Sequence, residues 1–191
     1  MWIFDFIYSI FRKIFPVKGK ASNIVIIGLD NAGKSTMLYA LKNGRFQQQE
    51  KTKTFDKEMV KIGGLDIYAW DLGGHMMVRQ TWSDYYFSCQ GIVFVIDASC
   101  QTRFNEAKNE LDMIMNDSTI KNLPILILAN KIDVAGSASY SDIVSAFNLK
   151  NLYDSDQITV HTEFRPIHLV MTSVPQLFGF LSGFKWLSNF I

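Results

Sequence analysis

At 191 residues the chain is long enough for one domain with a sizeable core and too short for two ordinary ones. Apolar residues make up 48% and charged residues 19%, which excludes persistent disorder, and a net charge of +1 supplies no bulk attraction to nucleic acid, so no such partner is expected. The two cysteines, Cys89 and Cys100, are too few for a zinc cluster and read as reduced thiols of a cytosolic protein.

Residues 1–15 read MWIFDFIYSIFRKIF, with Asp5, Ser9, Arg12 and Lys13 recurring at spacings of three and four. A helix here has one narrow polar stripe and a wide apolar face. The run is too short and too interrupted to cross a bilayer. It lacks the basic lead of a signal peptide, and Trp2 stands where N-myristoylation needs a glycine. Two readings stay open from periodicity: a helix lying in a membrane surface, with Arg12 and Lys13 at headgroups, or a helix packed on the protein's own core. Pro16 to Ser22 (PVKGKAS) is a basic, turn-rich linker. The expected organisation is therefore an amphipathic helix and linker over residues 1–20 and a folded domain over 21–191.

The apolar run Asn23 to Ile27 predicts a strand that leads into Gly28-Leu29-Asp30-Asn31-Ala32-Gly33-Lys34-Ser35. Ser35 to Asn43 reads as a helix with Gly44 as its C-terminal cap. Phe46 to Lys57 has no periodicity and reads as a mobile segment. Met59 to Ile62, Gly63-Gly64 and Leu65 to Trp70 form a strand, a two-residue turn and a strand, hence a hairpin. Gly91 to Ile96 and Pro124 to Ala129 are the continuous apolar runs of strands buried on both faces. Arg103 to Met115 and Tyr140 to Phe147 carry helical patterns. Leu149 to Pro166 is polar and irregular, with Gln157 to Val160 at most a short strand. Ile167 to Met171 is the last core strand, and Phe178 to Ile191 a closing helix. This alternation predicts a doubly wound α/β domain: a mostly parallel six-stranded sheet with one antiparallel hairpin strand and helices on both faces.

Three motifs carry chemistry. G-x-x-x-x-G-K-[ST] over Gly28 to Ser35, between a strand and a helix N-terminus, lets backbone N–H groups converge on phosphate. Asp30, Asn31, Ala32, Gly33, Lys34, Ser35 and Thr36 are its expected nucleotide-binding residues, Lys34 reaching the β- and γ-phosphates and the Ser35 hydroxyl completing a Mg²⁺ shell. Asp71-Leu72-Gly73-Gly74-His75 follows the second hairpin strand. There Asp71 is placed to hold Mg²⁺ through water, Gly74 to bring its N–H to a γ-phosphate, and His75 to position the attacking water. Asn130-Lys131-Ile132-Asp133 ends a buried strand, at the sheet edge where α/β folds bind ligands. Asp133 can accept from N1–H and the exocyclic amine of guanine, whereas adenine presents a lone pair that the carboxylate repels. Asn130 is expected to tie this loop to the phosphate loop, and the Lys131 stem to cover the base. Thr172-Ser173-Val174 offers backbone N–H groups, of Ser173 and Val174, to guanine O6. The cofactors expected are GTP or GDP and Mg²⁺.

GLDNAGKST, WDLGGH with His in place of Gln, PILILANKID and the N-terminal helix without a second-position glycine resemble the Sar family of small GTPases, along essentially the whole chain. The resemblance implies a GTP hydrolase, slow alone, whose activating protein supplies an arginine in trans. It implies GTP-triggered insertion of residues 1–15 into the cytoplasmic face of the endoplasmic reticulum membrane, with cycling through the cytosol and the Golgi membrane as a further station. The implied partners are a membrane guanine-nucleotide exchange factor and the inner COPII coat with its GTPase-activating subunit. The chain departs from the family at Lys51 to Glu58 (KTKTFDKE), where family prolines are missing. Counting back from Asp71 puts Thr52 at the Mg²⁺-binding position, with Thr54 as the near alternative. That departure motivates an alternative function, a GTP-binding scaffold with little hydrolysis. A P-loop nucleoside or nucleotide kinase, the remaining reading, should lack N-K-x-D.

Overall fold

A computed structural model describes residues 21–50, 55–62, 65–72, 79, 81–149, 160–161 and 165–191. Its seven strands are β1 (Ala21–Ile27), β2 (Phe55–Ile62), β3 (Leu65–Leu72), β4 (Gly91–Asp97), β5 (Ile125–Asn130), β6 (Val160–His161) and β7 (Pro166–Met171). They form one sheet in the order β2-β3-β1-β4-β5-β7-β6. The five strands from β3 to β7 in that order run parallel, and β2 and β6 pair antiparallel at the two edges. The six expected strands are thus present. The two-residue β6, at the end of the stretch read as at most a short strand, adds a seventh.

The helices are α1 (Lys34–Asn43), α2 (Trp82–Tyr86), α3 (Phe104–Asn116), α4 (Tyr140–Ala146) and α5 (Phe180–Leu187). Side-chain alternation along the central strands explains why they lie on both faces. Val25, Ile27, Ile92, Phe94, Ile96, Ile125 and Ile127 enter one core with Trp82, Phe104, Leu111 and Ile143 of α2, α3 and α4. Ile24, Ile26, Val93, Val95, Leu126 and Leu128 enter the other with Met37 and Leu41 of α1 and Phe180 and Phe184 of α5. Each run is apolar at every position because each position is inside.

Local signals set two of the helix ends. Gly44 takes φ 64° and returns its N–H to the Ala40 carbonyl, closing α1 as read. Ser139 and Asp142 form a reciprocal capping box that starts α4. The closing helix is shorter than predicted, Phe180–Leu187, because Ser173 and Phe178 exchange backbone hydrogen bonds across a turn before it. The larger difference is β2, which begins at Phe55 instead of Met59 and pairs Phe55 with Leu72 and Asp56 with Asp71. Pairing along an edge supplies what the polar sequence of that stretch lacks, a reason to be extended. For the same reason Asp71 lies inside β3, paired with Ile26 of β1, and not beyond the strand. The expected helix over residues 1–15 and the Gly63-Gly64 turn lie outside the described residues. Among the described residues no helix is long and apolar enough to cross a membrane.

Candidate functional site

The carboxyl ends of β1, β3, β4, β5 and β7 converge on one edge of the sheet, and an open cleft of about 240 Å³ sits there. Asp30, Asn31, Gly33, Lys34, Ser35 and Thr36 line one side, and Asn130, Lys131, Asp133 and Val174 line the other. Sequence reasoning put these residues in three separate motifs; the parallel sheet brings them to one opening.

The phosphate loop is held in a shape that only a glycine-bearing chain can take. Gly28 has φ 139°, and a Cβ there would stand 2.2 Å from the Val95 carbonyl oxygen of β4. Gly33 has φ 96°, and a Cβ there would stand 2.4 Å from Asn130 Nδ2. Between them Asn31 takes φ 63°, a left-handed conformation that asparagine tolerates. Lys34 is buried, 5% exposed, and its Nζ donates to the carbonyls of Gly28 and Leu29, each at 3.0 Å. The loop therefore wraps around a buried ammonium at the N-terminus of α1, where the helix adds partial positive charge.

Asn130 joins the two sides. It is 2% exposed, and its Nδ2 donates to the Ala32 carbonyl at 2.9 Å. Its Oδ1 accepts from the Val174 N–H at 3.3 Å and the Thr172 hydroxyl at 3.4 Å. One amide thus ties the phosphate loop, the end of β5 and the loop after β7. Lys131 takes φ 71°, a strained conformation for a residue with a Cβ, at a cost of about 1–2 kcal/mol. The backbone around it is over-determined: the Val134 N–H returns to the Lys131 carbonyl, and the Ile132 N–H reaches the Thr172 carbonyl. Asp133 is exposed at the lip of the cleft. Val174 is buried and lines the cleft, whereas the Ser173 N–H donates to the Phe178 carbonyl at 3.1 Å, turned into its own hairpin.

Several residues at the site carried no sequence signal. Asp97, the last residue of β4, accepts from Lys131 Nζ at 2.6 Å and from the Ser99 N–H and hydroxyl at 3.0 and 2.6 Å. The register pairs Asp97 directly with Asn130, a neighbourhood that only strand pairing reveals. Arg103, in a 3-10 turn (Gln101–Arg103) before α3, donates to the carbonyl of Asp30 at 3.1 Å and to its carboxylate at 2.8 Å. Phe46 and residues 48–50, from the stretch read as mobile, line the cleft, and the Gln49 N–H reaches the Thr36 hydroxyl at 3.4 Å. Thr52, Thr54, Gly74 and His75 lie outside the described residues, as does the side chain of Asp71.

The residues present fit a nucleotide and Mg²⁺. The loop backbone of Asp30, Asn31, Gly33 and Lys34 lines the open cleft at the N-terminus of α1, where N–H groups and helix charge favour an anion, with the buried Lys34 ammonium beside it as counter-charge. Ser35, which lines the cleft, carries a hard oxygen donor of the kind Mg²⁺ takes.

The comparisons agree with this geometry. The model of the ADP-ribosylation factor family matches residues 7–191. The chain is 35% identical over 173 residues to the small COPII coat GTPase SAR1 of Giardia intestinalis, covering 90% of this chain and 91% of that protein. It is 38% identical over 159 residues to ADP-ribosylation factor-like protein 6 of Caenorhabditis elegans, covering 81% and 83%. It is 33% identical over 188 residues to ADP-ribosylation factor K of Dictyostelium discoideum, covering 97% and 95%. Among solved structures, the Arl6 BBS3 small GTPase of Trypanosoma brucei with bound GppNp superposes with a TM-score of 0.77 at 25% identity, covering 89% of this chain and 96% of that one.

Proposed function

The chain belongs to the ADP-ribosylation factor family of small GTPases, which bind GTP or GDP with Mg²⁺, and on that premise we propose that it is a membrane-recruited switch of the Sar type. In this reading the GTP-bound protein inserts residues 1–15 into the endoplasmic reticulum membrane. There it recruits the inner COPII coat for transport to the Golgi, after loading by a membrane exchange factor. The observation that carries the nucleotide part is the Asn130 bridge, which sets the guanine-reading loop and the phosphate loop at one fixed separation. The Sar assignment rests on the similarity to the SAR1 protein and on the apolar pattern of residues 1–15. ADP-ribosylation factor-like and ADP-ribosylation factor relatives are equally similar, so the coat and the compartment are the part to test first.

The chemistry follows from the chain's own groups. The backbone of residues 30–36 and the Lys34 ammonium bind the phosphates. Asp133 accepts from the guanine edge and the Lys131 stem covers the base while Asp97 holds its ammonium; Val174 lines the base end of the cleft with its N–H held by Asn130, so the expected N–H to O6 contact of Ser173 and Val174 is not the one the loop makes. Ser35, Asp71 and Thr52 would hold Mg²⁺, which would neutralise phosphate charge. Gly74 offers its N–H to the γ-phosphate, and His75 orients the attacking water. As the family resemblance implies, a stimulating arginine would come from an activating protein in trans; Arg103 itself is held by Asp30 and Glu106.

Flotation on anionic liposomes tests the switch: the GTP-analogue form binds and the GDP form does not. Equal binding of the two refutes it, as does undiminished binding after removal of residues 1–15. Recruitment of purified inner COPII coat to those liposomes tests the Sar assignment. The divergent stretch at Lys51 to Glu58 favours a second reading, a GTP-binding scaffold with little turnover. Single-turnover hydrolysis with and without an activating partner separates the two: stimulation to rapid turnover excludes the scaffold.

A further inference from the structure

Five alternating charges connect the phosphate loop to the far side of α3. Arg103 donates from Nη1 to the Asp30 carbonyl at 3.1 Å and from Nη2 to its carboxylate at 2.8 Å. The same guanidinium grips Glu106, Nε to Oε2 at 2.8 Å and Nη2 to Oε1 at 3.1 Å. Glu106 Oε1 also accepts from Arg79 Nη2 at 2.7 Å, and Arg79 Nη1 donates to Glu110 at 3.0 Å. Arg103, Glu106 and Glu110 fall at i, i+3 and i+7, one face of the turn and helix, so the row of charges is built into the periodicity of this segment.

Isolated surface pairs contribute little. This row differs in geometry and, at its Arg79–Glu110 end, in burial. The Arg79 side chain is 7% exposed and that of Glu110 15%, while Asp30, Arg103 and Glu106 are about a third exposed, and each guanidinium bridges two acidic residues. Glu106 is held below the usual carboxylate range, first by its hydrogen bond from Arg103 and then by Arg79, and Arg103 is held above its ordinary value by Glu106 and Asp30.

The position of Asp30 gives the row a purpose. A carboxylate inside a phosphate-binding loop repels the anion the loop exists to hold. Arg103 neutralises that charge and fixes the Asp30 carbonyl at the same time. Its own orientation depends on Glu106, and Glu106 is shared with Arg79. Arg79 lies eight residues beyond Asp71, at the downstream end of the stretch that carries the D-L-G-G-H motif.

We propose that Arg103 and Glu106 are positioning residues for nucleotide retention, and that they couple Asp30 in the phosphate loop to Arg79 through one shared carboxylate. The inference rests on the nucleotide reading of the Gly28 to Ser35 loop.

Release of a fluorescent GDP analogue from the full chain, in Mg²⁺, tests the coupling. Arg103→Ala is expected to release about tenfold faster and Arg79→Ala about threefold faster, magnitudes typical of coupled neighbours in one ion-pair network. The double variant is expected to release no faster than Arg103→Ala alone, because both act through Glu106. Asp30→Asn placed in the Arg103→Ala chain is expected to restore slow release, since it removes the charge that Arg103 neutralises; a merely structural loss would not be relieved this way. Release from Arg79→Ala at the wild-type rate, multiplicative effects in the double variant, or no relief from Asp30→Asn overturns the proposal. If Arg103→Ala does not fold by its thermal melt, Glu106→Gln reads the same link with its shape kept, and wild-type release from it is equally fatal. Failure of the wild-type chain to bind the analogue would overturn the nucleotide reading itself, a result distinct from any of these.

Discussion

Asn130→Ala tests the tie on which the nucleotide assignment rests. The substitution removes a side chain that is 2% exposed and three hydrogen bonds, to the Ala32 carbonyl at 2.9 Å, the Val174 N–H at 3.3 Å and the Thr172 hydroxyl at 3.4 Å. Ala32, Val174 and Thr172 are themselves buried, so water does not easily replace the lost partner. A buried polar group left without a partner costs about 1–3 kcal/mol. The Ala32 carbonyl counts in full and the two longer bonds count less, so the total is about 2–4 kcal/mol. For a domain of this size each kcal/mol lowers Tm by about 2–4 °C, which gives a fall of about 4–16 °C. Circular dichroism melts in a fixed excess of GDP and Mg²⁺ read it, the fixed ligand being necessary because bound nucleotide adds its own stabilisation. GDP affinity is expected to fall further than the melt implies, because the phosphate and base loops lose their common anchor. A Tm within about 2 °C of wild type together with unchanged GDP affinity would refute the reasoning.

Gly33→Ala is expected to abolish GDP binding in a fluorescence titration, because the new Cβ meets Asn130 Nδ2 at 2.4 Å in a left-handed backbone; retained binding would mean that the loop re-forms. Asp133→Asn should weaken GTP by about 10–100-fold in competition while leaving the weak binding of ATP unchanged, since only guanine donates two hydrogen bonds to that carboxylate. His75→Ala should keep GTP affinity and slow single-turnover hydrolysis, and an unchanged rate removes His75 from the mechanism. Burial pushes the Cys89 thiol from 9.0 up to about 12, so between those values the unfolded chain ionises while the folded chain holds its proton. Stability is then unaffected by this group below the lower value and falls above it by about 1.4 kcal/mol per pH unit. Urea unfolding at pH 8, 10 and 11 reads the slope, which Cys89→Ala should reduce and Tyr86, also raised mainly by burial, should partly retain. An identical slope in the variant contradicts the assignment.

The continuous apolar runs at Gly91 to Ile96 and Pro124 to Ala129 announced two-sided burial because a strand between helices has no solvent face. The start of β2 was not legible in the same way. Phe55 to Glu58 has no alternation, and its extended form comes from pairing with β3 at the sheet edge. The short α2 escaped notice because five residues are too few to show a helical period.

By itself the sequence determined the phosphate loop, the N-K-x-D loop and the order of strands and helices. Each of these is written in local chemistry: a glycine where φ must be positive, an amide or carboxylate at the end of an apolar run, a period of two or of 3.6. Tertiary structure alone decided which of the chain's many charges face one another. Asp97 and Lys131 are 34 positions apart and Asp30 and Arg103 73 apart, and no periodicity links them. Asp97 meets Lys131 because β4 and β5 lie side by side in a register that sets Asp97 opposite Asn130. Arg103 meets Asp30 because both follow neighbouring strands, β4 and β1, out of the same edge of the sheet. Charges attract at any sequence separation, so the pairing is selected by the packing of the sheet and not by the motifs it serves.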